Sequence, residues 1–185
     1  MAHISNPIET FFSQYSEYDY DSTRETMDQF WELCDLLAWD REDPERLEAL
    51  NGVRDGIAQQ FNAFYGNDEN NLNAWHNLYR ALGEKDVPGS TEKCKKDIRG
   101  FHVNICDLVD YSLHGGSLPG HFNTQEDLAQ YSRSSGKIYP RENAYAGGLL
   151  KFLLREIYGT YHGRHRKGKG KGKSKRTSGR GGRQG

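Results

Sequence analysis

The chain has 185 residues, with 25 Lys and Arg against 26 Asp and Glu, 12% aromatic residues and a mean hydropathy of −0.92. Without a run of about 18 apolar residues it has no membrane-span candidate. The first residues lack the basic and apolar regions of a secretory signal, and three widely spaced cysteines, Cys34, Cys94 and Cys106, fit reduced thiols better than a disulfide framework. Nuclear or cytoplasmic residence, not secretion, is the expectation.

Residues 1–21 carry Phe11, Phe12, Tyr15, Tyr18 and Tyr20 between polar groups. They read as an extended or short helical lead-in whose rings pack on the body, since leaving so many exposed would invite aggregation. A first amphipathic helix is predicted behind an Asp21 or Ser22 cap, with Ser22 and Glu25 at capping-box spacing and Met27, Phe30, Trp31, Cys34, Leu37 and Ala38 at helical intervals. Asp43-Pro44 starts a second helix that runs to Gly66, and Asn51-Gly52 is a candidate kink. A third carries Leu72, Trp75, Leu78, Tyr79 and Leu82. Beyond the Pro88-Gly89 turn, Cys94, Ile98, Phe101, Ile105 and Leu108 step by four, three, four and three, which predicts one helix from Ser90 to about Leu108. Phe101–Ile105 alone would suit a strand, but the longer window favours helix.

The glycine-rich stretch Tyr111–Phe122 is a predicted loop. Asn123 and Glu126, again at capping-box spacing, open a short helix that ends before Gly136. Lys137–Pro140 is an extended link. A last helix is predicted from about Glu142 to Tyr158, with Gly147-Gly148 packed closely on another helix or on the Tyr139 segment. Six helical segments and no convincing strand make an all-α compact bundle, organised as a lead-in (1–21), a helical domain (22–160) and a disordered Lys/Arg/Gly-rich tail (161–185).

The strongest functional signal is the split of charge along the chain. From Gly163 to Gly185 there is no acidic and no apolar side chain, but there are ten basic ones: Arg164, Arg166, Lys167, Lys169, Lys171, Lys173, Lys175, Arg176, Arg180 and Arg183. The remainder holds 15 basic groups against all 26 acids, a body near −11 beside a tail near +10. A block of like charge does not fold on itself, and glycine leaves its backbone able to follow a phosphate chain while each cation displaces a condensed counterion. These ten are the candidate nucleic-acid-binding residues, with RNA favoured over DNA by the Arg180-Gly181-Gly182-Arg183 unit. The same density between Arg164 and Arg176 fits a nuclear localisation signal. Alternatively the tail is merely solubilising, or folds back on the acidic body. Ser174, Thr177 and Ser178 are positions where phosphorylation would reduce its charge.

Other constellations are weaker. His102, His114 and His121 lie near Cys94 and Cys106, but a zinc site wants four ligands at short paired spacings, and the two thiols read as core residues. No metal or other cofactor is expected. A nucleophilic arrangement would draw on Cys106 or Ser112, His102 or His114, and Asp107 or Asp110, yet no elbow or oxyanion loop accompanies them. No catalytic residue is assigned, and a small enzyme built around His102, Asp107 and the 112–122 loop is kept as an alternative. The acidic body is not expected to add a second nucleic-acid surface unless its charge is segregated. A protein partner, of unknown identity, is the expected role for the body.

Several strings together resemble a family of small uncharacterised fungal proteins: Asn6-Pro7 with Phe11-Phe12 and Tyr15; Gln59-Gln60-Phe61-Asn62 with Tyr65-Gly66; Trp75, Leu78 and Leu82-Gly83; His102-Val103-Asn104 with Asp107-Leu108-Val109-Asp110; and Gly136-Lys137 leading into Pro140 through Lys151. The resemblance covers about residues 6–158. It implies one compact domain of an intracellular protein, brings no activity or site residue with it, and leaves the tail outside. The expected function is that of a non-enzymatic, nucleic-acid-associated adaptor, whose tail holds phosphates while the helical body meets a protein. The alternative is an interaction or regulatory domain whose tail serves only for nuclear import.

Overall fold

A computed structural model describes residues 6–140 and 147–154. Among them are eight α-helices and no strand: α1 Pro7–Phe12, α2 Thr26–Leu36, α3 Pro44–Tyr65, α4 Leu72–Ala81, α5 Thr91–Asp97, α6 Ile105–His114, α7 Gln125–Ser134 and α8 Leu150–Leu153. A 3-10 turn, Ile98–Gly100, follows α5, and one antiparallel bridge joins Val103 to His121. The all-α bundle is thus the architecture.

The long helix α3, 22 residues and about 33 Å at the usual rise, is the axis of the fold. Pro44 at its first turn and Gly66 beyond its end, at φ 78°, bound it as the sequence predicts. Asn51-Gly52 makes no break in it. Instead Gly52 and Gly56 let α1 lie close: a Cβ on Gly52 would stand 3.0 Å from the Phe11 ring, and one on Gly56 would stand 3.3 Å from the Pro7 carbonyl oxygen. Helix α1 is started by Asn6, whose Oδ1 accepts from Glu9 N at 2.8 Å, and it buries Ile8, Phe11 and Phe12. Phe12 then stacks on Tyr20 with centroids 4.7 Å apart. The core gathers Met27, Phe30 and Leu33 of α2, Val53, Ile57 and Phe61 of α3, Trp75 and Leu78 of α4, and Leu108 and Val109 of α6. α3 packs against α1, α2, α4, α6 and α8.

Three helix starts differ from the sequence prediction. α2 begins at Thr26, because Asp21 is held in a turn of its own by Thr23, and Glu25 turns its carboxylate to Lys137. α7 begins one residue later than expected, with Thr124 and Asp127 capping each other: Asp127 N donates to Thr124 Oγ1 at 3.0 Å, and the hydroxyl donates to Asp127 Oδ2 at 2.8 Å.

The third difference is larger. The helix predicted from Ser90 to Leu108 is two helices separated by the 3-10 turn and an extended segment. Phe101 adopts φ −84°, ψ 128°, and Asn104 adopts φ −77°, ψ 127°. Asn104 is the reason: it is the N-cap of α6, with Oδ1 accepting from Cys106 N at 2.9 Å and Asp107 N at 3.3 Å. The apolar rhythm is real, since Cys94, Ile98, Ile105 and Leu108 are all buried, but two separate elements bury them. α6 also reaches His114, and so takes in the first four residues of the predicted loop. Of the predicted Glu142–Tyr158 helix, residues 142–146 and 155–158 lie outside the described residues, and Leu150–Leu153 is the helical part within them. Gly148 packs closely on the backbone of Asn67, in the loop after α3.

Candidate nucleic-acid interface

The ten basic residues from Arg164 to Arg183 lie outside the described residues, as does the domain boundary near 160. The folded part can be asked a narrower question, namely whether its charge is mixed or segregated. Reading along the chain, acids and bases alternate closely, as in Asp40-Arg41-Glu42-Asp43 and Glu45-Arg46. On a helix, however, residues four apart share a face.

Arg46, Leu50 and Arg54 form such a stripe on α3 and line a groove of about 550 Å³. Arg41, from the turn before α3, and Arg133, from the end of α7, line it as well, with Ser134, Ser135 and Gly136. Trp31, Leu47 and Ile138 complete the wall, and no carboxylate is among the lining residues. Two guanidiniums are positioned by backbone carbonyls: Arg46 Nη1 donates to Trp39 O at 3.3 Å and Arg54 Nε donates to Ile138 O at 3.0 Å. Arg46 also lies over the Trp31 ring, 5.3 Å from its centroid. The indole Nε1 of Trp31 is buried and has no hydrogen-bond partner among the described residues. A Cβ on Gly136 would stand 2.6 Å from it, and Gly136 has φ 70°, so this corner of the groove requires glycine twice over.

A second depression, of about 590 Å³, uses other positions of α3. Glu45, Glu48, Gly52, Gly56 and Gln59 line it together with Tyr15 and Trp39. Helix α3 therefore directs Glu45 and Glu48 toward one depression and Arg46 and Arg54 toward the other. The i, i+4, i+8 spacing of Arg46, Leu50 and Arg54 carried that information, but α7 and the α2–α3 turn had to be placed beside it for a groove to exist.

The residues of the enzyme alternative are only partly gathered. Asp107, Asp110, Tyr111 and His114 line a recess of about 370 Å³ with the loop at Gly115, Ser117 and Gly120. His102 is not among them; its carbonyl accepts from Phe122 N at 2.8 Å. Cys106 is fully buried, and burial pushes its thiol well above the ordinary range. Ser112 Oγ donates to Leu108 O at 2.9 Å and is paired with the Tyr65 hydroxyl. Asp107 Oδ1 accepts from the buried Lys137 Nζ at 2.7 Å, and Glu25 Oε2 accepts from the same ammonium at 2.6 Å. Burial works against that charge, but these bonds outweigh it and hold Lys137 above the lysine range. Asp110 accepts from Thr26 Oγ1 at 2.5 Å and from Thr26 N at 3.2 Å. Burial nevertheless raises its carboxyl to about 6.

Cys94 and Cys106 sit in the core, with Cys94 Sγ directed to Pro88 O at 3.6 Å. Among the described residues no group of three His, Cys, Asp or Glu could hold a metal ion, and no helix is long and apolar enough to cross a membrane. No family model, curated protein or solved structure matches the chain.

Proposed function

We propose that this protein is a non-enzymatic, nucleic-acid-associated adaptor, whose basic tail holds the phosphate backbone, RNA in preference to DNA, and whose helical body meets a protein partner. The observation that carries the reading is the tail's composition: ten cations in 23 residues, with no acid to neutralise them and no apolar group to fold them. Such a segment gains free energy by releasing counterions from a polyanion, without sequence preference and with steep dependence on salt. The arginine groove is consistent with this reading, because it turns one face of an otherwise acidic body toward anions. The acidic remainder is left for the protein partner.

Affinity for a single-stranded RNA, measured at low and moderate salt, tests the proposal on two full-length chains: the native one and one with the ten tail cations replaced by glutamine. Binding that falls steeply with salt and is lost in the substituted chain is expected. Equal binding by both refutes the tail's role. The density of charge from Arg164 to Arg176 supports a second reading, nuclear import alone. It is favoured if neither chain binds RNA while the native one alone accumulates in nuclei.

A further inference from the structure

The geometry points to a second phosphate-binding surface on the folded body: the arginine groove between α3 and α7 takes the backbone of a single-stranded nucleic acid whose neighbouring stretch is held by the tail. This rests on the reading of the protein as nucleic-acid-associated, and adds to it a built site with defined residues.

Three features favour this occupant. Four guanidiniums, from Arg41, Arg46, Arg54 and Arg133, line one groove with no carboxylate in its wall, in a body that carries 26 acids. Guanidinium groups suit phosphate because their donors lie in a planar fork that can meet two oxygens at once. Secondly, the ends of this arrangement are preset. Arg46 is held by the Trp39 carbonyl and the Trp31 ring and Arg54 by the Ile138 carbonyl, so little rotamer freedom is lost on binding. Thirdly, the surface is concave and partly apolar, with Leu47 50% exposed on its wall. A duplex would rest its convex backbone on the rim, whereas a single strand can enter with phosphates on the arginines and a base against the leucines.

The test uses the full-length chain and a labelled single-stranded oligonucleotide of about 12 nucleotides. In one variant Arg41→Gln and Arg133→Gln remove two cations. In another, Leu47→Glu places a carboxylate in the groove while deleting no polar contact, so it stands even if the arginine variant loses stability. Thermal unfolding accompanies each binding measurement. Affinity about tenfold weaker, with the salt slope reduced by about 1.4 in the arginine variant, is expected. Substituting lysine for the same two arginines should restore most of the slope.

Unchanged affinity and slope in both variants overturns the groove while leaving the tail reading intact. A weakened Leu47→Glu variant alongside a tail-substituted chain that binds normally would keep the groove and reject the tail. If polyglutamate binds the native chain and is lost in Leu47→Glu while the oligonucleotide is unaffected, the groove is a docking site for acidic peptide, and the proposal fails.

Discussion

Asn104 reaches across the bundle to Lys137: its Nδ2 donates to the Lys137 carbonyl at 2.9 Å while its Oδ1 caps the first turn of α6. The same amide nitrogen also donates to Ser132 Oγ at 3.0 Å, so one buried side chain ties α6, α7 and the segment after α7 together. A cap ordinarily faces water. This one is 3% exposed, and each of its bonds would be lost into a dry interior.

Asn104→Ala should therefore destabilise the fold by about 3 kcal/mol, combining a lost cap with an unpaired buried carbonyl. Asn104→Asp keeps the cap but loses the donor and brings a buried charge, so it should not rescue. Urea denaturation of the two variants checks this; a loss below about 1 kcal/mol for the alanine variant would show that the network contributes little.

Lys137 is 5% exposed and its ammonium lies between Glu25 and Asp107. Lys137→Met removes the cation and keeps much of the volume. Because Glu25 is about half exposed and can turn back to water, the expected loss is about 2 kcal/mol, less than for a fully buried pair. Thermal unfolding at neutral pH measures it, and an unchanged midpoint would mean the ion pairs only break even.

Asp110 gives a pH dependence with a definite sign. Its folded carboxyl is raised from 3.8 to about 6, so over that interval the native state binds the proton more tightly than the unfolded chain does. Its contribution to stability is accordingly most favourable below about 4 and declines as pH rises through about 6. Asp110→Asn keeps an acceptor for Thr26 and removes the buried charge. The variant should exceed the native protein by at most about 3 kcal/mol at pH 7.5, the gap narrowing as pH is lowered to about 4.5. A gap that widens on acidification would reverse the assignment.

Gly147 and Gly148 make a controlled pair. At Gly148, φ is 52° and an added Cβ would stand 2.5 Å from Asn67 Cα and O, so the Asn67 backbone or the 147–149 turn must move. Gly148→Ala should cost about 3 kcal/mol or more. A Cβ on Gly147 meets nothing within 4 Å, and Gly147→Ala should change stability by less than about 0.5 kcal/mol. Denaturation midpoints separate the two; equal midpoints would contradict the packing of this turn on Asn67.

Much of the bundle could be read from residue order because its signals are local. Pro44 and Gly66 bound α3, and Trp75, Leu78, Tyr79 and Leu82 mark α4, since caps and apolar stripes act within one or two turns of helix. Prediction failed where a distant residue decided the conformation. The break before α6 depends on Asn104 finding Ser132 and Lys137, 28 and 33 residues away, and the late start of α2 depends on Glu25 finding Lys137, 112 residues away. A periodic window cannot register such partners. Gly52, a candidate kink in the sequence, likewise proves to be where the Phe11 ring of α1 comes close to α3.

The residues by themselves determined that this is a helical body with an uninterrupted polycation after it, because composition and helical period need no tertiary partner to act. Tertiary structure decided how the body's charge is arranged. Arg46 and Arg54 come to line one groove with Arg133 and Trp31, while Glu45 and Glu48 line another, because α3 turns its successive residues through about 100° and the end of α7 with the segment after it lies beside one of the resulting faces. Alternating charges along a chain thereby become separate surfaces of opposite sign.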